Sequence, residues 1–162
     1  MGFVQDLSAE QLLDMYSTMV FRLAYSRTQN KHDAEDITQE VFLKYIKNNK
    51  KFNDEEHRKA WLLKVTINTG KTLLTSAWNR HRTDIENAEN IGEFIPENSE
   101  VYYAVQKLPE KYRVVIHLFY FEELSILQIC KMTGSKESTI KSQLHRGRGM
   151  LKNLLKEEQY EF

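Results

Sequence analysis

The stretch SILQICKMTGSKESTIKSQLHRGR, from Ser125 to Arg148, predicts two helices joined by a tight turn. Ser125 followed three residues later by Gln128 is the pattern of a capping box, in which each side chain bonds a free backbone group of the first helical turn. Gly134 stands where the first helix must end, because glycine adopts a positive φ without steric cost. A short helix, a glycine-containing turn and a second helix are typical of the helix-turn-helix motif.

The second helix of this motif is predicted from Lys136 to about Leu155, with Ile140, Leu144 and Leu151 on its inner face. In helix-turn-helix proteins this helix enters the major groove of DNA, where basic and hydroxyl side chains contact phosphates and bases. The candidate DNA contacts at its start and on its outer face are Lys136, Ser138, Thr139, Lys141, Ser142, His145, Arg146 and Arg148. From this stretch alone, an ordinary helical hairpin with a solvated basic face is the alternative.

The composition favours a helical protein, since the 162 residues include only 6 glycines and 2 prolines and 41% are hydrophobic. Long segments free of both helix breakers predict an all-α fold. The single cysteine, Cys130, falls on the apolar stripe of the motif's first helix and is expected to be a buried thiol in a reducing environment. No stretch approaches the roughly 18 apolar residues that span a bilayer, and Met1 to Asp14 lacks a signal-peptide pattern. We therefore expect a cytoplasmic protein without membrane insertion.

The formal net charge is zero, but the charges are segregated along the chain. The segment from Arg58 to Arg82 contains six basic residues and no acidic one, whereas Thr83 to Glu100 contains six acidic residues and no basic one. Phosphate binding depends on the local potential within about one Debye length, roughly 10 Å at 0.1 M salt. The zero net charge therefore does not exclude a nucleic-acid partner.

Three amphipathic helices are predicted in the first half of the chain. Ser8 with Gln11 repeats the capping-box pattern and begins a helix that ends near Thr28. Asp33 is expected to cap a second helix, whose inner face comprises Ala34, Ile37, Val41 and Tyr45. A third helix is expected from about Glu56 to Asn79. Its inner face includes Trp61, Val65 and Thr72, and its apolar surface is widened by Leu62, Leu63, Leu73 and Leu74.

The second helix carries another face that combines two acids with an amide and a leucine. Its residues are Asp36, Gln39, Glu40 and Leu43. Such a surface suits a basic partner groove better than it suits DNA. The alternative is a solvated helix face whose acids are favoured near the helix N-terminus.

The third helix supplies a second candidate nucleic-acid surface. Basic side chains lie opposite its apolar side and at its end, namely Lys64, Lys71, Arg80, His81 and Arg82, with Trp78 among them as a possible base-stacking aromatic. The acidic segment from Thr83 to Glu100 shows no sustained period and is expected to be an interdomain linker. Two further helices, one over Val101 to Leu108 and one from Pro109 onward, are expected to support the helix-turn-helix.

The order of these features resembles the sigma-70 family, specifically its small extracytoplasmic-function (ECF) group. DAEDITQEVFLKYIK at Asp33 to Lys47 and AWLLKVTINTGKTLL at Ala60 to Leu74 are similar to the family's region two, and Leu108 to Leu151 is similar to region four. The resemblance implies two small helical domains joined by a flexible linker. Region two is expected to be a three-helix bundle over residues 1–82, followed by the linker at 83–100 and a four-helix region four over 101–162.

The resemblance further implies a sigma factor that binds core RNA polymerase, recognises the minus-ten and minus-thirty-five promoter elements and promotes DNA melting. Asp36, Gln39, Glu40 and the neighbouring Leu43 are then expected to meet the clamp helices of the largest polymerase subunit, and region four to meet the flap. The loop from Phe52 to His57 is expected to capture an unstacked base of the minus-ten element. The residues expected along that element are Asn53, His57, Lys64, Asn68, Lys71, Arg80 and Arg82.

The candidate DNA contacts of the helix-turn-helix match positions that face the minus-thirty-five element in this family. Lys141 and Arg146 suit either guanine edges or phosphates, and the sequence does not separate the two roles. An anti-sigma factor is an expected partner, whereas no cofactor, metal ion or catalytic residue is expected.

Three positions in the second motif helix depart from the family pattern. His145 stands where a larger aromatic or aliphatic residue is common, and Gly147 and Gly149 stand where alanine or arginine is common. Each glycine weakens a helix by about 1 kcal/mol relative to alanine, so each requires close packing or proximity to the DNA backbone.

Two other classes of protein compete with the sigma-factor interpretation. The first is a free-standing transcriptional regulator that binds DNA through the same motif and dimerises through its N-terminal helices. The second is an enzyme, which the sequence disfavours because its five histidines are scattered and no phosphate-binding glycine loop is present.

Overall fold

The computed structural model describes residues 6–48, 50–77, 91–95 and 99–160, and every regular element within them is helical. The chain divides into two compact units, Met1–Phe94 and Ile95–Phe162. The first unit contains α1 (Ala9–Thr28), α2 (Lys31–Lys47) and α3 (Glu55–Ala77). The second contains α4 (Ser99–Gln106), α5 (Glu110–Ile116), α6 (Ile126–Thr133) and α7 (Glu137–Tyr160). The predicted all-α class, with a three-helix and a four-helix domain, is confirmed.

Side-chain caps fix the first residues of α1 and α2. Gln11 N–H donates to Ser8 Oγ (3.1 Å) and Ser8 N–H donates to Gln11 Oε1 (3.0 Å), so the predicted capping box is confirmed. The prediction that Asp33 caps α2 is wrong. Asn30 is the cap, because its extended backbone lets its side-chain oxygen accept from Asp33 N–H at 2.9 Å. Asp33 instead supplies the acidic charge that the first turn of a helix favours.

The core of the first unit lies where α1, α2 and α3 meet. The residues that fill it include Leu12, Val20, Phe21 and Leu23 of α1 and Ala34, Ile37 and Val41 of α2. Tyr45, which was expected on the same inner face of α2, is only half-buried. It packs instead against Phe52 and Trp61 at the edge of the unit.

The stripe that α3 buries differs from the predicted one. It comprises Leu62, Leu63, Thr66, Ile67 and Thr69. Leu62 and Leu63 are buried as expected, but Trp61 and Val65 are only half-buried and Thr72 is exposed, so the prediction for these three residues was wrong. The polar character of Thr66 and Thr69 concealed the stripe, yet both hydroxyls are satisfied inside the core. Thr66 Oγ1 donates to a carbonyl of its own helix (2.7 Å), and a lysine of α2 donates to Thr69 Oγ1 (2.9 Å).

A short 3₁₀ turn, Gly92–Phe94, packs against α1. The Phe94 ring stacks on Phe21 with centroids 3.8 Å apart, the Arg22 side chain donates to the Phe94 carbonyl, and Ile91 is buried. This part of the expected linker therefore belongs to the first unit, and α4 begins at Ser99, before the expected end of the linker. Residues 83–90 and 96–98 of that linker lie outside the described residues.

The second unit is built on α5 and on the π-helical turn that follows it. Pro109 caps α5, and the buried Arg113 donates from Nη1 to the Leu108 carbonyl (2.9 Å), which closes the corner between α4 and α5. A π-helical turn, His117–Phe121, extends α5. Within it the buried His117 places Nε2 3.4 Å from Glu122 Oε1. As predicted, Val105, Leu108, Val114, Val115 and Leu118 are buried, although Val101 and Phe119 are only half-buried.

The helix-turn-helix is formed by α6 and α7. The capping box of Ser125 and Gln128 is present, with bonds of 3.1 and 2.8 Å, and Gly134 ends α6 at φ 76°. Cys130 was expected to be buried but is half-buried. α7 continues to Tyr160, five residues beyond the predicted end of this helix at about Leu155. No helix of the described residues is long and apolar enough to cross a membrane.

Candidate promoter and polymerase interfaces

The outer face of α7 presents a continuous polar surface. Ile140 and Leu144 are buried against the unit. The exposed residues are Ser138, Thr139, Lys141, Ser142, His145 and Arg146, with Lys136 exposed just before the helix. Lys141 Nζ lies 3.0 Å from Glu137 Oε1 on the same helix. Because Ser138, Ser142 and His145 recur at steps of four and three residues, they form one row along the side that the core leaves uncovered.

Arg146 and Arg148 occupy different sides of α7. Arg146 stands on the outer side, where a hydrogen bond with its guanidinium lowers the pKa of the Tyr112 hydroxyl. Arg148 follows the buried Leu144 by four residues and therefore lies on the inner side. Its Nε donates to the Tyr120 hydroxyl (2.6 Å), and its guanidinium carbon lies 5.2 Å from the centre of the Phe119 ring. The structure thus does not bring Arg148 together with the other candidate minus-thirty-five contacts.

The two glycines of α7 have different surroundings. A Cβ at Gly147 would come within 2.9 Å of Ile116 Cγ1 and 3.4 Å of Tyr112 Cβ. Gly147 is therefore explained by the close approach of α7 to α5. A Cβ at Gly149 would meet nothing within 4 Å, and Gly149 is exposed on the outer side of the helix. Packing within the unit does not explain Gly149.

An apolar groove runs along the inner side of α7. Its lining residues are Val101, Val105, Ile116, Tyr120, Phe121, Arg148, Leu151, Lys152 and Leu155. Two cations, Arg148 and Lys152, border the apolar side chains. The sequence analysis placed Leu151 on the inner face of this helix. It did not predict that the other helices leave the C-terminal part of that face uncovered.

The acidic and apolar face predicted on α2 is present. Asp36, Gln39 and Leu43 are exposed and Glu40 is half-exposed, whereas Ile37 on the other side is fully buried. Ile46 adds a second exposed apolar side chain three residues after Leu43, with 59% of its surface accessible. The sequence analysis missed Ile46, although its three-residue spacing from Leu43 was the signal that could have found it. The face therefore combines carboxylates with two adjoining apolar residues.

The loop from Phe52 to His57 is held in one conformation by local hydrogen bonds and an aromatic cluster. Asn53 N–H donates to His57 Nδ1 (3.2 Å), and His57 N–H donates to Asp54 Oδ1 (2.7 Å). Because Nδ1 accepts a hydrogen bond, a neutral His57 carries its proton on Nε2. The buried Phe52 ring lies 5.2 Å from the His57 ring and 6.0 Å from Trp61. Trp61, expected in the core, therefore stands half-exposed beside this loop.

The remaining candidate minus-ten contacts follow α3. Lys64, Asn68 and Lys71 are exposed and recur at steps of four and three residues, so they form one row opposite the buried stripe. Arg80 and Arg82, together with Trp78 and His81, lie outside the described residues. Within the described parts of the chain, no group of three or more histidine, cysteine, aspartate or glutamate residues is arranged to hold a metal ion.

Comparisons with known proteins agree with this arrangement. Residues 12–80 match the family Sigma-70 region 2, and residues 99–151 match the family Sigma-70, region 4. The ECF RNA polymerase sigma-E factor of Haemophilus influenzae is 30% identical over an alignment that covers 82% of this chain and 86% of that protein. The chain belongs to the ECF group of the sigma-70 family. It is therefore a sigma factor that acts in transcription initiation, and it is not an enzyme.

Other sigma factors resemble the chain over most of its length. The ECF RNA polymerase sigma factor SigW of Bacillus subtilis is 29% identical, over 94% of this chain and 91% of that protein. A solved structure, the sigma factor RpoE of Bartonella quintana in complex with the anti-sigma factor NepR, covers 91% of this chain and 96% of its own with a TM-score of 0.68. At 21% identity that structure shows the shared fold alone. The free-standing regulator considered above is not supported by these relatives.

Proposed function

We propose that this sigma factor binds core RNA polymerase through its first unit and recognises both promoter elements, one with each unit. The first unit contacts the minus-ten element and promotes melting, and the second contacts the minus-thirty-five element. The observation that carries the proposal is the polar outer face of α7, which the helix-turn-helix leaves uncovered while Ile140 and Leu144 hold the helix to its unit. Such a helix fits the major groove of duplex DNA.

Recognition of the minus-thirty-five element rests on the exposed row of α7. Ser138, Ser142 and His145 face the base edges, and Lys141 and Arg146 flank them to meet guanines or phosphates. Lys136 and Thr139 stand at the start of the same surface. Arg148 is not among the proposed base contacts, because it projects toward Tyr120 and Phe119 and not along the exposed row.

Recognition of the minus-ten element rests on the Phe52 to His57 loop and the row of Lys64, Asn68 and Lys71. A base taken out of the duplex loses a few kcal/mol of stacking, which contacts in a preformed pocket must offset. The loop supports such capture, because its backbone and the His57 ring are already ordered by two local hydrogen bonds. The three residues on α3 then follow the opened strand, and their lysines neutralise phosphates. Arg80 and Arg82 are proposed to extend this track.

Binding to polymerase rests on the α2 face. Asp36 and Glu40 suit a basic partner, while Leu43 and Ile46 provide apolar area for an anchor at the centre of an interface. We assign this face to the clamp helices and the apolar groove beside α7 to the flap. A protein that binds polymerase through these contacts is expected in the cytoplasm. An anti-sigma factor is proposed as a further partner, since RpoE, which shares the fold, was solved in complex with the anti-sigma factor NepR.

The polymerase contact is tested by reversing the charges of the α2 face. The variant Asp36→Lys with Glu40→Lys is expected to bind core polymerase at least tenfold more weakly, because two favourable charge contacts become repulsive. Binding is measured by titrating fluorescently labelled full-length protein with purified core enzyme. The matched control is Glu10→Lys with Asp14→Lys, which makes the same charge change at the same four-residue spacing on exposed positions of α1. Wild-type affinity of the α2 variant, or equal losses in both variants, would contradict the assignment.

A further inference from the structure

A fully buried arginine lies beneath the loop proposed to capture the minus-ten strand. Arg58, in the first turns of α3, is 0% exposed. Burial of a charged group is unfavourable unless an ion pair and other contacts replace its water. Arg58 Nη1 is paired with the Glu55 carboxylate, and its guanidinium carbon lies 5.6 Å from the centre of the Phe52 ring. Arg58 therefore joins the start of α3 to the first residue of the loop.

The Glu55 carboxylate extends this connection to α1. One of its oxygens pairs with Arg58, and the other accepts a hydrogen bond from the Tyr16 hydroxyl. Burial, together with the hydrogen bond to Glu55, raises the pKa of Tyr16 to about 12. The hydroxyl therefore remains protonated, and able to donate, throughout the physiological pH range. We name the set of Tyr16, Glu55 and Arg58 the brace.

We infer that the brace consists of positioning residues that hold the Phe52 to His57 loop in the conformation that receives the minus-ten strand. The bonds from Asn53 to His57 and from His57 to Asp54 are local and fix only the shape of the loop. The brace is the connection that fixes this loop to α1, because Tyr16 and Glu55 are 39 positions apart in the chain. A loop ordered before binding loses less conformational freedom when the strand binds.

This inference rests on the proposed capture of the minus-ten strand by the loop. The competing explanation is that the brace stabilises the first unit without affecting recognition. The two differ in a measurable way. A positioning role acts through His57, so its effect on strand affinity disappears when the His57 side chain is removed, whereas a purely stabilising role gives no such dependence.

The experiment uses holoenzyme reconstituted from core polymerase and the full-length protein. The probe is a fluorescent single strand carrying the minus-ten sequence that wild-type holoenzyme selects from a randomised promoter library. Tyr16→Phe removes only the hydroxyl and is expected to weaken probe binding about fivefold, the typical effect of losing one hydrogen bond. Core affinity is expected to stay unchanged. The control Tyr103→Phe removes an exposed hydroxyl from α4 of the second unit and is expected to have no effect.

A double-mutant cycle with His57→Ala decides between positioning and stabilisation. The double variant Tyr16→Phe with His57→Ala is expected to bind the probe as weakly as His57→Ala alone. If Tyr16→Phe lowers the melting temperature, the cycle is repeated at a temperature at which circular dichroism shows every variant to be fully folded, so that loss of folded protein does not contribute to the probe affinities.

Two outcomes would overturn the inference, and they are distinguishable. If the two substitutions weaken probe binding independently, so that their fold losses multiply in the double variant, the brace has no positioning role. The same holds if His57→Ala weakens probe binding and Tyr16→Phe does not. Either result would leave the proposed function intact. Wild-type probe binding by both Asn53→Ala and His57→Ala would show that the loop does not capture the strand, and the inference would fall together with that part of the proposed function.

Discussion

A side chain at Gly149 would meet nothing within the second unit, and Gly149 is exposed on the outer side of α7, so proximity to the DNA backbone is the explanation that we propose to test. At Gly147, two residues earlier, the close approach of Ile116 leaves no room for a side chain. The same substitution at the two positions therefore separates a glycine required by packing from one required by binding.

Gly149→Ala is expected to raise the free energy of unfolding by about 1 kcal/mol, because alanine is the better helix former. Gly147→Ala is expected to lower it by about 1–3 kcal/mol, because Ile116 must move to admit the methyl group. Both values are measured by urea denaturation of the full-length protein. Gly149→Ala is also expected to weaken binding of the holoenzyme to a duplex carrying the minus-thirty-five element. Unchanged affinity would mean that Gly149 does not approach the DNA.

At the scale of the element, the position of α7 depends on how α6 begins and ends. The capping box at Ser125 fixes the first turn of α6, and Gly134 in the left-handed conformation fixes the turn that follows. α6 has only eight residues, so it is too short to be stable without its caps and its packing. A weakened α6 is therefore expected to affect the placement of α7.

Ser125→Ala is expected to destabilise the second unit by about 1 kcal/mol, the typical cost of losing a side-chain cap. Binding to the minus-thirty-five duplex is expected to weaken severalfold, while binding to a minus-ten single strand stays unchanged. Ser8→Ala is the matched control, because it removes an equivalent capping box from α1. Thermal unfolding and the two DNA titrations are measured on both variants. An equal effect of both substitutions on duplex binding would show that α6 has no special influence on α7.

At the scale of the whole molecule, the features that could be predicted from the sequence are those set by residues close together in the chain. The capping boxes and the turn at Gly134 involve residues within a few positions of one another, and all were found. The Asp33 cap failed at the same scale because Asn30, an equally good cap, stands three residues earlier. Local patterns therefore locate a helix well and its first residue less well.

The features that escaped prediction depend on contacts between distant parts of the chain. Nothing near Tyr16 indicates that its hydroxyl meets Glu55, and nothing near Phe94 indicates that its ring stacks on Phe21. Arg148 was grouped with the other arginine of α7 because both are basic, whereas its tyrosine partner lies 28 positions earlier. The candidate interfaces were thus predictable as helix faces, but the contacts that shape them required the folded structure.

The zero net charge of the chain leads to a test of whether DNA affinity follows local or total charge. Arg146→Gln and Arg148→Gln change the total charge equally, and each arginine has a hydrogen bond with a tyrosine hydroxyl, Tyr112 or Tyr120. If local charge decides, Arg146→Gln lowers the slope of log K against log salt for the minus-thirty-five duplex by about 1, the loss of one phosphate contact. Arg148→Gln leaves that slope unchanged, because its guanidinium lies on the inner side of α7. Fluorescence titrations of both holoenzymes at several salt concentrations measure the slopes, and equal slopes would place both arginines on the DNA or neither.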